Sequence, residues 1–435
     1  MGVLFAIAAF GSTQAAENIT ANATPTAFPG ALGWAAHTPG GRGGAILRVT
    51  TLAAEGPGSL REALETKGPR IVVFEVGGRI DLGRRAIAIR EGNLTLAGQT
   101  APSPGITLIR GGLTVATHDV VIQHLRVRPG EAGAAKMSDW EIDALSTGGG
   151  ARDVIVDHCS FTWATDENLS ASGPRFSGDT PDQWREGASH RITFSHNIIA
   201  EGLANATHPK GEHSKGSLIH DNVTDVFIVA NLYAHNLERN PLFKGGARGM
   251  VVNNLIYDPG ARAVHYNLIR EEWGDRPAEL GTLALIGNVL RSGPSTPNDI
   301  AFFQLGGSGD VELFLHDNIL VDRLGRPLPE LGRYTTSAAR TLQVKRAPAI
   351  PGNWKPMRAA DVQDAVIRNA GARPWDRDAT DLRIVADTIE GRGRIIDSER
   401  DVGGYPKQTE TRQPFDPAAW DLRVMTRRDT THAPR

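Results

Sequence analysis

Two clusters of charged residues in this sequence have the types and spacing for chemistry. The first is acidic. DWEIDALS places Glu141 and Asp143 two apart, on one face if the segment is a strand, and DHCSFTWATDENLS adds Asp157, then Asp166 and Glu167. Carboxylates from successive segments that converge on one face make an all-oxygen site suited to a hard divalent cation such as calcium. The alternative is that they are solvated surface acids, as most Asp and Glu are. The second cluster is basic and comes later: Lys210 and Lys215, with His213 between them, in HPKGEHSKGSLIHDN, then Arg239 and Lys244 in HNLERNPLFKGG. Residues at 239 and 244 would face opposite sides of a flat strand, so a bend must lie between them, and Pro241 is where it is expected. Acids first and bases later, in adjacent elements, would build a groove with a cation on one wall and basic side chains on the other. Such a groove suits a polyanionic chain whose repeating groups are carboxylates.

Other candidates carry less. His208, His213, His220 and His235 have no HExxH or Cys/His spacing of a zinc site. Asp157 and His158, with apolar neighbours on both sides, read as a buried hydrogen-bonded pair more than as catalysts. The single cysteine, Cys159, excludes an internal disulfide framework. A formal net charge of −2 over 435 residues argues against a surface for nucleic acid, so any basic site is local.

Stepping outward to the elements that must hold these residues, 49 glycines and 26 prolines with 6% aromatics fit many short strands joined by turns better than a helical bundle. Residues 1–16 read as a secretory signal, from the apolar run Val3 to Phe10 and the small residues that end at Ala16, which predicts a secreted or periplasmic protein. No other stretch is apolar enough for a membrane span. Residues 17–44 form an extended lead-in, and GPGSLREALE predicts a helix with Ser59 as N-cap and Glu62 closing a capping box.

From residue 118 a loose repeat begins, in segments such as RDVIVDHCSFTWA, HRITFSHNIIAEG and RGMVVNNLIYDPG. Aligned, they place Leu125, Cys159, Asn197, Asn231, Asn254, Asn288 and Asn318 in one column, at steps of 34, 38, 34, 23, 34 and 30 residues. A constant core with variable insertions describes a solenoid, each coil two short apolar strands around a turn. Side-chain amides stacked at strand spacing can bond to one another along the axis, so the column predicts an asparagine ladder more than a set of turn residues. The predicted class is all-β: a parallel solenoid over residues 45–330, followed by an extension over 331–435 that packs on it. Within the extension, RAADVQDAVIRNAGA and RDATDLRIVADTIEGRG read as helices stopped at Gly371 and Gly391.

The order EID, VIVDHCSFTWATDE, HSKGSL, LERNPLFKGG, VVNNLIYD resembles the pectate lyases of polysaccharide lyase family one. GPGSLREAL with VVFEVGGRI, GQTAPSPGITL, and RNAGARPWDRDATDLRIVAD are similar to the bacterial-type branch of that family, so the likeness covers nearly the whole chain after the leader. The resemblance implies a right-handed parallel β-helix, calcium, and eliminative cleavage of polygalacturonate. Carried over by position, the calcium ligands fall on Asp143, on Glu141 and on Asp166. A further family aspartate is replaced by Ser170, which leaves Glu167 or substrate oxygens to fill the shell. Lys215 matches the substrate-binding lysine, Arg239 the proton-abstracting arginine, and Lys244 stands where the family has a second arginine. Lysine keeps the charge there but loses the planar fork that grips a carboxylate at two points.

The expected function is therefore a calcium-dependent, secreted pectate lyase, with Lys210, His213, Lys215 and Lys244 on an acidic polysaccharide. A monomer is expected, without nucleic acid or membrane partners. Two other readings stay open: a related lyase on methylated pectin or another uronan, and a non-catalytic β-helix that only binds polysaccharide. A hydrolase would need paired acids flanking a scissile bond, whereas these acids are grouped as ligands.

Overall fold

The computed structural model describes residues 25–428, so the leader expected over 1–16 lies outside the described residues. Every coil carries three strands, where the repeat had predicted two. They stack into three sheets of 11, 10 and 9 strands among the described residues, parallel throughout except for Thr411–Arg412, which joins the second sheet antiparallel to Val76–Asp81. The repeat exposed only the first two strands of each coil because they are apolar and separated by one short turn of constant length. The third strand follows the variable insertions and is often three residues long, as in Leu145–Thr147, Leu169–Ala171 and Leu242–Lys244.

The stack is held in register by its interior. In the first sheet Ile122, Val156, Phe194, Ile228 and Val251 stand one above another, all buried. Burying each such side chain stabilises the fold by about 1.5–3 kcal/mol. Alternation along the strands points the intervening residues outward.

At the corner between the first and second sheets, the asparagine column forms the expected ladder. Asn197 donates its backbone N–H and its amide to Asn231 Oδ1 at 2.8 and 3.0 Å. The pattern repeats from Asn231 to Asn254, Asn254 to Asn288 and Asn288 to Asn318. The residue before each rung has a left-handed backbone: His124, His158, His196, Ala230, Asn253, Gly287 and Asp317 have φ between 48° and 63°. Histidine, asparagine and aspartate tolerate that region better than most side chains, so the turn selects them.

Helix α1 (Leu60–Glu65) buries Leu60, Ala63 and Leu64 in the main core. Ser59 Oγ accepts from Glu62 N–H as expected, but Glu62 Oε2 takes the Gly58 N–H at 2.6 Å, so the return arm of the capping box lands one residue early. Helices α2 (Pro181–Gly187) and α3 (Arg270–Trp273) lie in insertions and were not legible in the repeat. Helices α4 (Ala359–Asn369) and α5 (Ala379–Glu390) lie along the stack: Val362, Val366, Ile384 and Val385 pack on Ile198, Leu232, Leu255 and Tyr257 of the second sheet. α5 ends on Gly391, whose φ of 71° is the left-handed cap that glycine adopts without penalty. Strand pairing continues to Gln343, past the 330 boundary expected from the repeat. No described helix is long and apolar enough to cross a membrane.

Candidate active site at the edge of the third sheet

The charged residues gather where the chain leaves its insertions and enters the short third-sheet strands. Asp143 precedes Leu145–Thr147, Asp166 and Glu167 precede Leu169–Ala171, Lys215 precedes Leu218–Ile219, and Arg239 precedes Leu242–Lys244. Glu167, Lys215 and Glu238 are bridged in parallel across three consecutive coils. Charges that are 23 to 48 residues apart in sequence thereby become one alternating column.

Carboxylate oxygens of Asp143, Asp166 and Glu167 all lie within 4.8 Å of one another. Burial, and then the neighbouring Asp166, hold the Asp143 carboxyl well above the usual carboxylate range. Burial pushes Asp166 in the same direction, but the hydrogen bond and charge of His213, with Arg239 and His208, outweigh it and hold Asp166 below its ordinary value. A proton kept on one of three crowded carboxylates does what a cation would do there, and three oxygen donors match the chemistry of calcium. The set fits a hard divalent ion.

Glu141 does not share a strand face with Asp143, because residues 141–144 are not in a strand. It turns instead to His208, whose Nε2 lies 2.9 Å from its carboxylate. His208 and His213 stack at 3.5 Å, and His213 Nε2 bonds Asp166 Oδ1 at 3.0 Å. Because His208 Nδ1 accepts the Lys210 backbone N–H, its proton sits on Nε2 and points at Glu141. These two histidines therefore orient carboxylates, and His213, expected on the substrate, is committed to Asp166. Lys210 is exposed, and its side chain has no ion-pair partner among the described residues. Ser170 accepts the Leu218 N–H at 3.3 Å and stands in register beside Ser146.

Each of the other cations is already paired. Arg239 is ion-paired with Glu167. Lys215 is bonded to Glu238, which also holds Arg262, and Arg262 lies over the Tyr334 ring at 4.5 Å. Lys244 is bonded to Glu272 and lies 3.4 Å from Asp221, which in turn holds Arg175 at 2.9 Å and Trp273 Nε1 at 2.7 Å. Burial, helped by Arg262, pushes Lys215 down to about 8. Burial also lowers Arg239 from its ordinary value, against the pull of Asp166 and Asp143.

The bend needed between Arg239 and Lys244 lies ahead of the strand rather than within it. Arg239 itself is left-handed, with φ of 62°, and Asn240–Pro241 follows as a cis peptide before Leu242–Lys244 begins. Glu272 bonds Lys244, and its field reaches Arg239. Sequence reasoning missed Glu238, Arg262, Asp221 and Glu272. Glu238 carried a signal, since it adjoins Arg239 and falls in column with Lys215. Glu272 carried none, because it sits in an insertion whose length varies from coil to coil.

No family model matches the chain. Among curated proteins, a probable pectate lyase C of Aspergillus terreus is 32% identical over 385 residues, covering 87% of this chain and 81% of that protein. A probable pectate lyase C of Emericella nidulans is 35% identical over 273 residues, 62% of this chain and 54% of that protein. Among solved structures, a Bacillus subtilis pectate lyase variant superposes with a TM-score of 0.55 at 14% identity, over 81% of this chain and 99% of the other. A pectate lyase bound to a hexasaccharide gives 0.54 at 14% identity, over 81% and 100%. The structural likeness establishes the parallel β-helix.

Proposed function

The chain belongs to the pectate lyase family and is a polysaccharide lyase, and from that premise we propose that it cleaves polygalacturonate by calcium-assisted β-elimination, outside the cytoplasm. One observation carries the reading: Asp143, Asp166 and Glu167 converge on one point, and Arg239 is paired with the last of them.

In this reading Asp143, Asp166 and Glu167 hold the calcium, with Glu141 at its margin. The bound ion would engage a substrate carboxylate and make the proton on the adjacent ring carbon more acidic. Burial already lowers the pKa of Arg239 against the pull of Asp166 and Asp143, and a cation held by those carboxylates would weaken that opposing pull. Arg239 takes the proton from C5 of a galacturonate. The C5–H electrons move toward the carboxylate as an enolate-like species that Lys215 stabilises. They then form the C4–C5 double bond as the C4–O bond breaks, and the departing oxygen takes a proton from water while Arg239 returns its proton to solvent. Lys244 holds a neighbouring uronate, which displaces the half-exposed Glu272 from it. Lys210, exposed on the same loop as His213, meets the chain further out.

The test is ultraviolet absorbance of the new double bond conjugated to the carboxylate, using polygalacturonate at alkaline pH. Signal that disappears with chelator and with Arg239→Ala supports the reading. Product from methyl-esterified pectin alone would move the substrate to a neutral chain. No product from either would move the function to another uronan or to binding without catalysis.

A further inference from the structure

A second cavity, of about 960 Å³, opens at the corner between the first and second sheets, a different corner of the coil from the one that carries Asp143 and Arg239. Its volume is ample for a sugar segment. Three histidines from successive coils line it in a stack: His124 and His158 at 5.2 Å, His158 and His196 at 4.5 Å with their rings 9° apart. Trp375 stands at its rim, 4.9 Å from His124 and 62% exposed, the only tryptophan among the described residues so open to solvent.

The buried polar groups of the lining are only partly satisfied within the protein. Asp157, 2% exposed, accepts from His158 Nδ1 at 2.7 Å, His196 Nδ1 at 3.1 Å, Ser195 Oγ at 2.7 Å and Gln123 Nε2 at 3.1 Å. A buried carboxylate that holds both Nδ1–H groups leaves both Nε2 atoms as acceptors on the cavity side. His124 is 8% exposed, and its Nδ1 has no hydrogen-bond partner among the described residues, nor has the Gln99 side-chain oxygen. Burial pushes His124 down to about 3, so it lines the cavity as a neutral ring. Unsatisfied buried acceptors destabilise the site, and a ligand rich in hydroxyl donors removes that cost. Arg427, exposed, has no ion-pair partner among the described residues and lies over the Trp420 ring at 5.5 Å. Both residues line the same cavity.

We propose that this cavity is a second saccharide site, separate from the catalytic groove, which takes an acidic oligosaccharide segment. Trp375 supplies the face on which a sugar ring stacks, the imidazoles and Gln99 accept its hydroxyls, and Arg427 meets a carboxylate. The choice of a uronide over a neutral glycan rests on Arg427 together with the pectate lyase reading above. A chelated metal is disfavoured by the same geometry. The His158 and His196 rings run parallel, so their free lone pairs do not converge, and both Asp157 oxygens are already engaged.

The test uses full-length protein with the groove disabled by Arg239→Ala and Lys215→Ala, run without calcium through native gels that contain polygalacturonate or neutral galactan. Retardation by polygalacturonate alone is expected. Trp375→Ala in that background should weaken it roughly tenfold, the scale of one lost aromatic contact, and Arg427→Gln should abolish the preference for the acidic polymer. In the otherwise native enzyme, Trp375→Ala should leave turnover of trigalacturonate unchanged. Absence of retardation, or retardation indifferent to Trp375, overturns the site. Equal retardation by both polymers overturns the uronide. Elimination without retardation defeats this site and leaves the proposed function standing, and retardation without elimination by the native enzyme does the reverse.

Discussion

Arg239 and Glu167 are ion-paired across the groove, and the same Glu167 carboxylate stands within 4.8 Å of ligand oxygens on Asp143 and Asp166. One carboxylate therefore serves either the arginine or a cation. Under the proposed function, a cation that engages Glu167 would compete with Arg239 for it, so cation binding and release of the arginine would be coupled.

Glu167→Gln tests that coupling. The amide cannot pair with the guanidinium and is a weaker calcium donor, so the calcium concentration for half-maximal rate should rise about 10- to 100-fold. Initial rates against free calcium check it. An unchanged calcium dependence would assign Glu167 to fold support alone.

His213 reaches Asp166 at 3.0 Å and keeps that carboxylate below its ordinary value. Replacing it with alanine removes both the donor and the charge, so Asp166 should bind a proton more readily and calcium about tenfold less tightly. His213→Gln restores a donor and should recover part of the loss. Calcium titration of the rate, beside thermal melts that stay close to wild type, separates an orienting role from a collapse of the loop.

Lys244 is paired with the half-exposed Glu272, while the fully buried Asp221 keeps Arg175 and Trp273 as partners of its own. Truncating Lys244 therefore spares Asp221 from standing unpaired. Lys244→Ala should raise KM about tenfold with a smaller loss in kcat, as for a contact made equally in ground and transition states. Lys244→Arg should keep KM near wild type. A kcat loss as large as that of Arg239→Ala would place Lys244 at the reacting carbon instead.

How much of this was legible follows from what each residue answers to. The asparagine column was readable because every rung bonds the next, so the same residue type recurs at the same turn. The third strand was not, since its three residues follow insertions of no fixed length and leave too short a period to see. Asp143, Asp166, Lys215 and Arg239 were found because their charges cluster in the sequence and their motifs follow the order that resembles the pectate lyases, not because the short strands after them could be seen. Their partners Glu272, Asp221 and Arg262 were missed for the converse reason, being placed by insertions and by the fold rather than by any local pattern. The bend at Arg239 was attributed to Pro241, although the left-handed residue is the arginine itself.

Asp378 ties the last helix to the stack and offers the final prediction, in pH. Two arginines of the second-sheet strand Leu125–Arg128, Arg126 and Arg128, are fully buried. Arg128 grips Asp378 at 2.6 and 3.0 Å and Asp381 at 2.8 Å. Asp378 is also the N-cap of α5, accepting from Asp381 N–H at 3.1 Å. Burial pushes its carboxyl up, but Arg128 and Arg126 outweigh that and hold it well below the usual carboxylate range. For a group whose folded pKa is depressed, the stabilisation is fully present above the unfolded value of about 3.9 and is lost as pH falls from there through the folded pKa. Asp378→Asn should therefore cost about 3 kcal/mol at neutral pH, where it leaves Arg128 with one carboxylate instead of two. Below about pH 4 the wild type begins to lose that contribution, and the gap between the two stability curves should narrow as pH falls further. Denaturant unfolding followed from pH 7 toward pH 3 measures the gap directly, and curves that run parallel over that range would show that the charge of Asp378 contributes nothing to holding α5 in place.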